Sequence, residues 1–402
     1  MSINNARDII DQIFIYINEE KYDNALKLLN IELNKNPDNA HLWRCKGDAL
    51  AHLGQTAEAL VALDYAVTLA PKDAVIWYNR GFSLFYSFDG HENEAIASYT
   101  RAVEINPNLL CSWVELARAL LAIERHNEAL AAFDTAIEKG IEKEAADNPS
   151  DLGRLFLERA SILNLFSRHE EALASIERAE TLDRDITDAD GETCFAEKGW
   201  ALAHLDRHEE ALVMYSRAIE ESPDDASFWN NKSTALSKLG RHEEALEAIE
   251  SAIEKDILNC YYWKAKGCTL FDLERYEEAV KAFEKSLALD AEEVDALYRM
   301  GIALQQLGHN DNAFESFNKA TELHPEEASY WNAKGIILCE MERPKEALTA
   351  FECAISASPR TAGYWYNKAS VLERLGCDAE AVKAYNEMLV LDKIAARENL
   401  QK

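Results

Sequence analysis

ASYWNAKGIILCEMERPKEALTAFECAISASPRT, residues 328–361, is the stretch that decides the fold, because the rest of the chain repeats its pattern. We number its positions as places 1 to 34, starting from Ala328. Bulky and small residues occupy fixed places. Places 4, 8, 11, 20, 24, 27 and 32 hold Trp331, Gly335, Leu338, Ala347, Phe351, Ala354 and Pro359. Recognising such a period comes first, because missing it would misassign the whole fold.

The spacing of these places predicts two helices that pack against each other. Places 4, 8 and 11 follow i, i+4, i+7 and share one helical face, and places 20, 24 and 27 repeat that pattern. Gly335 lets the helices approach closely, and full burial of a side chain the size of Phe351 contributes roughly 1.5–3 kcal/mol. Pro344 is tolerated in a first helical turn, whereas Pro359 ends the second helix. One hairpin cannot bury both of its faces, so it must stack on a neighbour.

The pattern resembles the tetratricopeptide repeat (TPR), and it recurs along nearly the whole chain as about eleven units. This resemblance implies an all-α fold, a right-handed α-solenoid of antiparallel helix hairpins called a TPR superhelix. We predict an N-terminal array of four units at 6–143, an insertion at 144–152, a C-terminal array of seven units at 153–395 and a tail at 396–402.

The register slips twice, at 139–152 and at 184–192. We interpret the slips as lengthened helices or loops at unit junctions, where insertions are tolerated. The alternative is a change in superhelix curvature between the two arrays. The second slip contains Asp188, Asp190 and Gly191, followed by Glu197, which matches part of a calcium-binding loop. Because Ile186 occupies the first ligand position, we predict a solvated turn without metal.

Composition narrows the partners and the compartment. There are 42 basic and 72 acidic residues, a net charge of −30, which argues against nucleic acid and anionic membrane partners. The eight cysteines form no CxxC pair, so we expect a reducing, cytoplasmic location and no zinc site. The start of the chain lacks the features of a secretory signal, and no apolar run is long enough to cross a membrane.

The sequence predicts no enzyme and no cofactor. It contains no Gly-rich phosphate loop, serine elbow or HExxH motif. The histidines that recur at place 17 share that place with tyrosine, which indicates structural packing. These are His126, His169, His208 and His242. No segment outside the repeats is long enough for a catalytic domain.

The resemblance implies that the first helix of each unit lines a concave groove. Places 2, 5, 9, 12 and 13 share the helical face that points away from the packing face, and most of our candidate groove residues lie there. Asparagines on this helix suit a peptide backbone because an amide both donates and accepts. Arg118 with Glu115, and Arg154 with Glu158, lie within pairing reach. The candidates are Arg44, Tyr78, Asn79, Phe82, Phe85, Tyr86, Arg118, Trp200, Asn230, Lys264, Tyr298, Asn332 and Tyr366.

Aromatic residues give the clearest signal among these candidates. Tyr78, Phe82, Phe85 and Tyr86 lie in one unit, and Trp200 is the only one of eight tryptophans away from place 4. Exposed aromatic clusters mark recognition sites, although Phe82 and Phe85 could instead pack against the neighbouring unit.

We therefore predict a non-enzymatic scaffold or adaptor that binds a partner peptide or helix in the concave groove. The alternative is a regulatory or targeting subunit of an enzyme complex that docks through its ends or its convex face. The co-chaperone carboxylate clamp of the family matches poorly, because Asp48 and Glu115 have the wrong charge for it. A homodimer through the terminal repeats is a further possibility.

Overall fold

The computed structural model describes residues 3–87, 90–143, 149–182 and 191–399, and within these ranges it is all-α. The described residues form 22 helices, which correspond to two per predicted unit, and they contain no strand. The all-α fold of antiparallel helix hairpins predicted from the sequence is thus confirmed. In chain order the helices are α1 (Ile3–Asn18), α2 (Tyr22–Lys35), α3 (Ala40–His52), α4 (Thr56–Leu69), α5 (Ala74–Ser87), α6 (Glu92–Ile105), α7 (Leu110–Ala122), α8 (His126–Lys143), α9 (Pro149–Leu165), α10 (His169–Leu182), α11 (Gly191–His204), α12 (His208–Glu221), α13 (Ala226–Lys238), α14 (His242–Lys255), α15 (Cys260–Asp272), α16 (Tyr276–Leu289), α17 (Val294–Gln306), α18 (Asn310–Leu323), α19 (Ala328–Glu340), α20 (Pro344–Ala357), α21 (Ala362–Arg374) and α22 (Asp378–Asn399).

The chain also divides into two larger compact parts, each made of several 34-residue repeats. We call these parts unit 1 (Met1–Leu205) and unit 2 (Asp206–Lys402). The predicted division into arrays at 6–143 and 153–395 stays a prediction. At the first register slip, α8 has 18 residues and α9 has 17, longer than the 13 and 14 residues of α7 and α10. Part of the predicted insertion is thus helical, while 144–148 and the acidic turn at 183–190 lie outside the described residues.

Glycine at place 8 sets the distance between the two helices of a hairpin. A Cβ atom at Gly335 would lie 2.5 Å from Cε1 of Phe351, and the aromatic ring fills the space that the glycine leaves. The same glycine–ring contact recurs at Gly301 with Phe317. These rings at place 24 are almost fully buried, so the repeat pattern of small and bulky residues is the packing contact itself.

Where a repeat has tryptophan at place 4, the indole joins that repeat to the chain that precedes it. The indole Nε1 of Trp331 donates to the carbonyl oxygen of Pro325, six residues earlier, at 2.8 Å. Trp263 makes the same bond at 2.8 Å although Ile257 stands where other units have proline. Seven of the eight tryptophans do this, and each is half-buried.

The turn between the two helices of a hairpin requires a left-handed backbone at place 15. Gly308 there has φ of +73°, whereas Glu342 adopts φ of +57° at the same place. In this backbone conformation a residue other than glycine is destabilised by roughly 1–2 kcal/mol. Six of the eleven turns carry this strain at Glu, Ser or Asp.

We expect Glu342→Gly to raise the free energy of unfolding by about 0.5–1 kcal/mol, because glycine removes the strain at some cost in unfolded-state entropy. Urea denaturation followed by circular dichroism measures it. The reciprocal variant Gly308→Ala should lower stability by a similar amount, since a Cβ there meets no neighbour and only the backbone is strained. Equal stability of both variants and the parent would contradict this account of the turn.

Successive hairpins stack in the same manner inside each unit. The second helix of a hairpin packs on the first helix of the next, and first helices also contact each other directly, as α3 with α5, α5 with α7 and α9 with α11 do in unit 1. Within each of the two compact units, the exposed sides of the first helices therefore lie side by side on one surface, which we call the first-helix face. None of the described helices combines the length and apolarity that a membrane-spanning helix requires.

Candidate functional site

Three aromatic rings follow one another along α5 on the first-helix face of unit 1. We call Tyr78, Phe82 and Tyr86 the aromatic ladder. The ring centroids of Tyr78 and Phe82 lie 6.1 Å apart, and those of Phe82 and Tyr86 lie 4.5 Å apart. Phe82 is 37% exposed and Tyr86 is 51% exposed, whereas Tyr78 is half-buried against Tyr99. Phe85 packs against the hydrophobic core instead, so it supports the ladder from beneath.

A network of polar side chains continues from the aromatic ladder across α7 and α9. The hydroxyl of Tyr86 donates to Glu115 at 2.7 Å, and Nη1 of Arg118 donates to the other oxygen of Glu115 at 2.8 Å. The Arg118 guanidinium also donates two bonds to Glu158. Burial and the bond to Glu115 raise the pKa of Tyr86 to about 12. The pairing of Arg118 with Glu115 agrees with their spacing in the sequence, whereas Glu158, on α9, shares the same guanidinium from 40 residues away.

Beside this network lies a cleft of about 340 Å³ between α7, α9 and α11. Its charged walls are Arg118, Arg154, Glu158 and Glu197, and the buried Cys194 contributes to its apolar lining. Glu197 accepts a hydrogen bond of 2.6 Å from the amide nitrogen of Asn164. The cleft lies entirely within unit 1. Sequence reasoning missed it, although acidic residues at place 6 of three successive units were its visible signal.

Trp200 on α11 provides a second exposed ring on the first-helix face. It is 42% exposed and lies with its ring centroid 4.4 Å from that of His204, which in turn stacks on His169 at 4.6 Å. His169 is thus one of the place-17 residues that contact a ring in the next 34-residue repeat. Tyr22, stacked on His52 at 4.6 Å, is another. The structural packing role predicted for place 17 is confirmed at these positions.

Arg44 and Asp48 flank the aromatic ladder on the side of α3. Nη1 of Arg44 donates to Asp48 at 3.0 Å, and the hydroxyl of Ser83 donates to the other carboxylate oxygen at 3.4 Å. Burial nevertheless raises the pKa of Asp48 to about 6, against the opposing effect of Arg44. Asn79 is less available than predicted, because its amide nitrogen donates to the Val75 carbonyl of its own helix at 2.6 Å.

The candidates of unit 2 are distributed over five first helices. Lys264 on α15 pairs with Glu293 at 3.1 Å, and Asn332 on α19 accepts a bond of 2.8 Å from Asn367. The Lys264 ammonium group and the Asn332 amide oxygen are thus already bonded to other side chains of the protein. Three further candidates complete the set. They are Asn230, half-buried on α13; Tyr298, half-buried on α17 beside Tyr330; and Tyr366, 53% exposed on α21.

The structure places the aromatic ladder, the cleft and Trp200 on the first-helix face of unit 1, and of these the ladder and Trp200 were predicted from the sequence. This surface presents ring faces, paired charges and amide groups. Among the described residues there is no group of histidine, cysteine and carboxylate side chains that could hold a metal ion.

The hairpin fold and its repeated packing define a helical-repeat protein. Sequence profiles described as Tetratricopeptide repeat match residues 15–74, 114–189 and 332–396, which together make up half of the chain, and also 74–109 and 294–327. A profile described as TPR repeat matches 267–308. The chain belongs to the tetratricopeptide repeat family. The profile of Anaphase-promoting complex, cyclosome, subunit 3 also matches residues 204–286.

Two curated relatives share short regions with the chain. Protein FlbA of Caulobacter vibrioides is 30% identical over 115 residues, 28% of this chain and 19% of FlbA. Superkiller complex protein 3 of Mus musculus is 29% identical over 121 residues, 30% of this chain and 8% of that protein. The matched region thus spans less than a fifth of either relative.

Solved structures with a similar fold include other repeat proteins. YrrB, described as a TPR protein with an unusual peptide-binding site, has 24% identity and a TM-score of 0.40, with 46% of this chain and 97% of YrrB covered. A MamA double mutant has 21% identity and a TM-score of 0.41, with 43% and 97% covered. Yeast Tom70 has 14% identity and a TM-score of 0.44, with 100% and 97% covered.

Proposed function

We propose that this protein is a non-enzymatic scaffold that binds a segment of a partner protein on the first-helix face of unit 1. Tetratricopeptide repeats form protein-interaction scaffolds, and the aromatic ladder gives this chain a defined place for the contact. The observation that carries the proposal is the exposure of Phe82 and Tyr86 beside the half-buried Tyr78. Large rings that are exposed together are the side chains that most often dominate binding energy at interfaces.

The surroundings of the ladder support binding of a peptide segment. The rings need no rearrangement to accept a partner side chain, because Tyr86 is fixed by Glu115 and Phe82 is held between its two neighbours. Preorganised rings lose little conformational entropy on binding.

The predicted cytoplasmic location stays a prediction and depends on the cysteine pattern alone.

A random-peptide display library, panned against the purified full-length chain, tests the proposal. We expect selected peptides to lose at least tenfold in affinity, about 1.4 kcal/mol, with the double variant Phe82→Ala and Tyr86→Ala. The matched control is Ile31→Ala with Val61→Ala, because these apolar residues are also exposed but lie on second helices. Fluorescence anisotropy measures the affinities, and circular dichroism checks that both variants fold.

The opposite pattern would favour the alternative function. If peptides bind the ladder variant as tightly as the parent and the second-helix variant more weakly, the first-helix face is not the binding surface. The chain would then act as a regulatory or targeting subunit that docks through its second helices or its ends.

The predicted homodimer stays a proposal, and one feature of unit 2 supports it. Val382 and Leu389 on α22 are 58% and 47% exposed, while Leu246 and Ile253, which occupy the same two places on α14, are each 7% exposed. In α14 these places lie in the core shared with α15, so the α22 face suits a further helix. Light scattering on the parent and on Val382→Lys would detect a dimer and its loss.

A further inference from the structure

Place 9 of the first helices forms a row across unit 1 that contains two exposed rings, those of Phe82 and Trp200. The row runs through Asp48, Phe82, Arg118, Ser161 and Trp200, one residue for each of five successive first helices. Neighbouring packed helices lie about 8–10 Å apart, so Phe82 and Trp200, three helices apart, are separated by roughly 25–30 Å. An extended chain covers that distance with about eight residues at 3.3–3.6 Å each.

Carboxylates outnumber guanidinium groups between the two rings. Glu115, Glu158 and Glu197 face Arg118 and Arg154 across α7, α9 and α11. Arg118 already donates to both Glu115 and Glu158, so a single cation serves two carboxylates. A further cation entering the cleft would meet an excess of negative charge, in a chain whose net charge is −30.

We propose that the partner segment is an extended peptide with two apolar anchors about eight residues apart and a lysine or arginine between them. One anchor contacts Phe82 and Tyr86, the cation enters the cleft beside Glu158 and Glu197, and the second anchor contacts Trp200. An extended peptide fits better than a helix, because a cleft of about 340 Å³ accepts side chains but not a helix of 10–12 Å diameter. This inference rests on the proposed function and specifies its partner.

Synthetic peptides with defined spacing test the inference on the full-length chain. Two phenylalanine anchors are separated by about four, eight or twelve residues, and the central residue is lysine, serine or glutamate. We expect the middle spacing with lysine to bind at least tenfold more tightly than the other spacings and than the glutamate peptide. Phe82→Ala and Trp200→Ala should each lower its affinity about tenfold, and the double variant about a hundredfold, because distant sites add.

The controls separate this inference from the proposed function. Val61→Ala on α4 should leave all affinities unchanged, and Trp200→Phe should keep most of the binding because it keeps a ring. If Phe82→Ala weakens binding while Trp200→Ala does not, or if no spacing is preferred, the two-anchor inference is overturned and the proposed function stands. Tighter binding of the glutamate peptide than of the lysine peptide overturns the inference that the partner carries a cation between its anchors. Binding that depends on neither ring rejects both proposals.

Discussion

Phe351→Ala is expected to lower the free energy of unfolding of unit 2 by about 3–5 kcal/mol, the range measured for buried phenylalanine truncations. The Phe351 side chain is only 1% exposed, and its ring fills the space above Gly335. Neither helix of the hairpin can close the resulting cavity without losing its contacts to α21 and α18. Urea denaturation monitored by circular dichroism measures the loss.

A matched pair of variants isolates the packing contact. Val213→Ala, at an exposed place on α12 of the same unit, should lower the free energy of unfolding by less than about 0.5 kcal/mol. Gly335→Leu should also destabilise, because overpacking costs about 1–3 kcal/mol, but combined with Phe351→Ala it should lose less than the sum of the two. Strict additivity of the two changes would show that Gly335 and Phe351 are not energetically coupled.

Arg118→Met is expected to lower the free energy of unfolding by about 2–3 kcal/mol, the second largest loss that we predict. Methionine keeps the apolar stem but leaves Glu115, whose side chain is 9% exposed, and Glu158 without their shared cation. Breaking a buried ion pair costs about 3–5 kcal/mol, and we lower that figure because Arg118 itself is 38% exposed. Thermal and urea unfolding of the variant measure the effect.

The neighbouring Arg125 provides the control for Arg118. It also makes two bonds of 2.7 Å to one carboxylate, that of Glu128, but both side chains are well exposed. Arg125→Met should therefore lower the free energy of unfolding far less than Arg118→Met, because the exposed pair is screened by water. Equal costs for the two variants would mean that burial of Glu115 contributes nothing to the importance of Arg118.

The hairpins were predictable from the sequence because one local rule specifies them. A small residue at place 8 opposite a bulky one at place 24 describes Gly335 and Phe351 without reference to the rest of the chain. The strained turn was harder to predict, because glutamate in one turn and glycine in another adopt the same left-handed backbone conformation, as Glu342 and Gly308 do. Only glycine at place 15 in the other turns signals it.

The site was harder to predict, because it depends on contacts between units. Phe82 and Phe85 lie three residues apart, and only the angle at which α5 packs decides that Phe82 is exposed while Phe85 enters the core. Likewise, Arg118 and Glu158 are separated by 40 residues and meet only because α7 and α9 are stacked. The repeat places assigned these residues to one helical face but could not rank them by exposure or by their contacts.

The indole bond from Trp331 to the Pro325 carbonyl has a practical consequence for cutting and joining segments of this chain. Donor and acceptor lie on opposite sides of the boundary at Ala328, where the 34-residue stretch begins. A segment excised from that boundary would retain its tryptophan but lose the oxygen that orients it. Transplanted segments and chimaeras should instead begin at least six residues upstream of a place-4 tryptophan, so that each segment carries the carbonyl group that its indole binds.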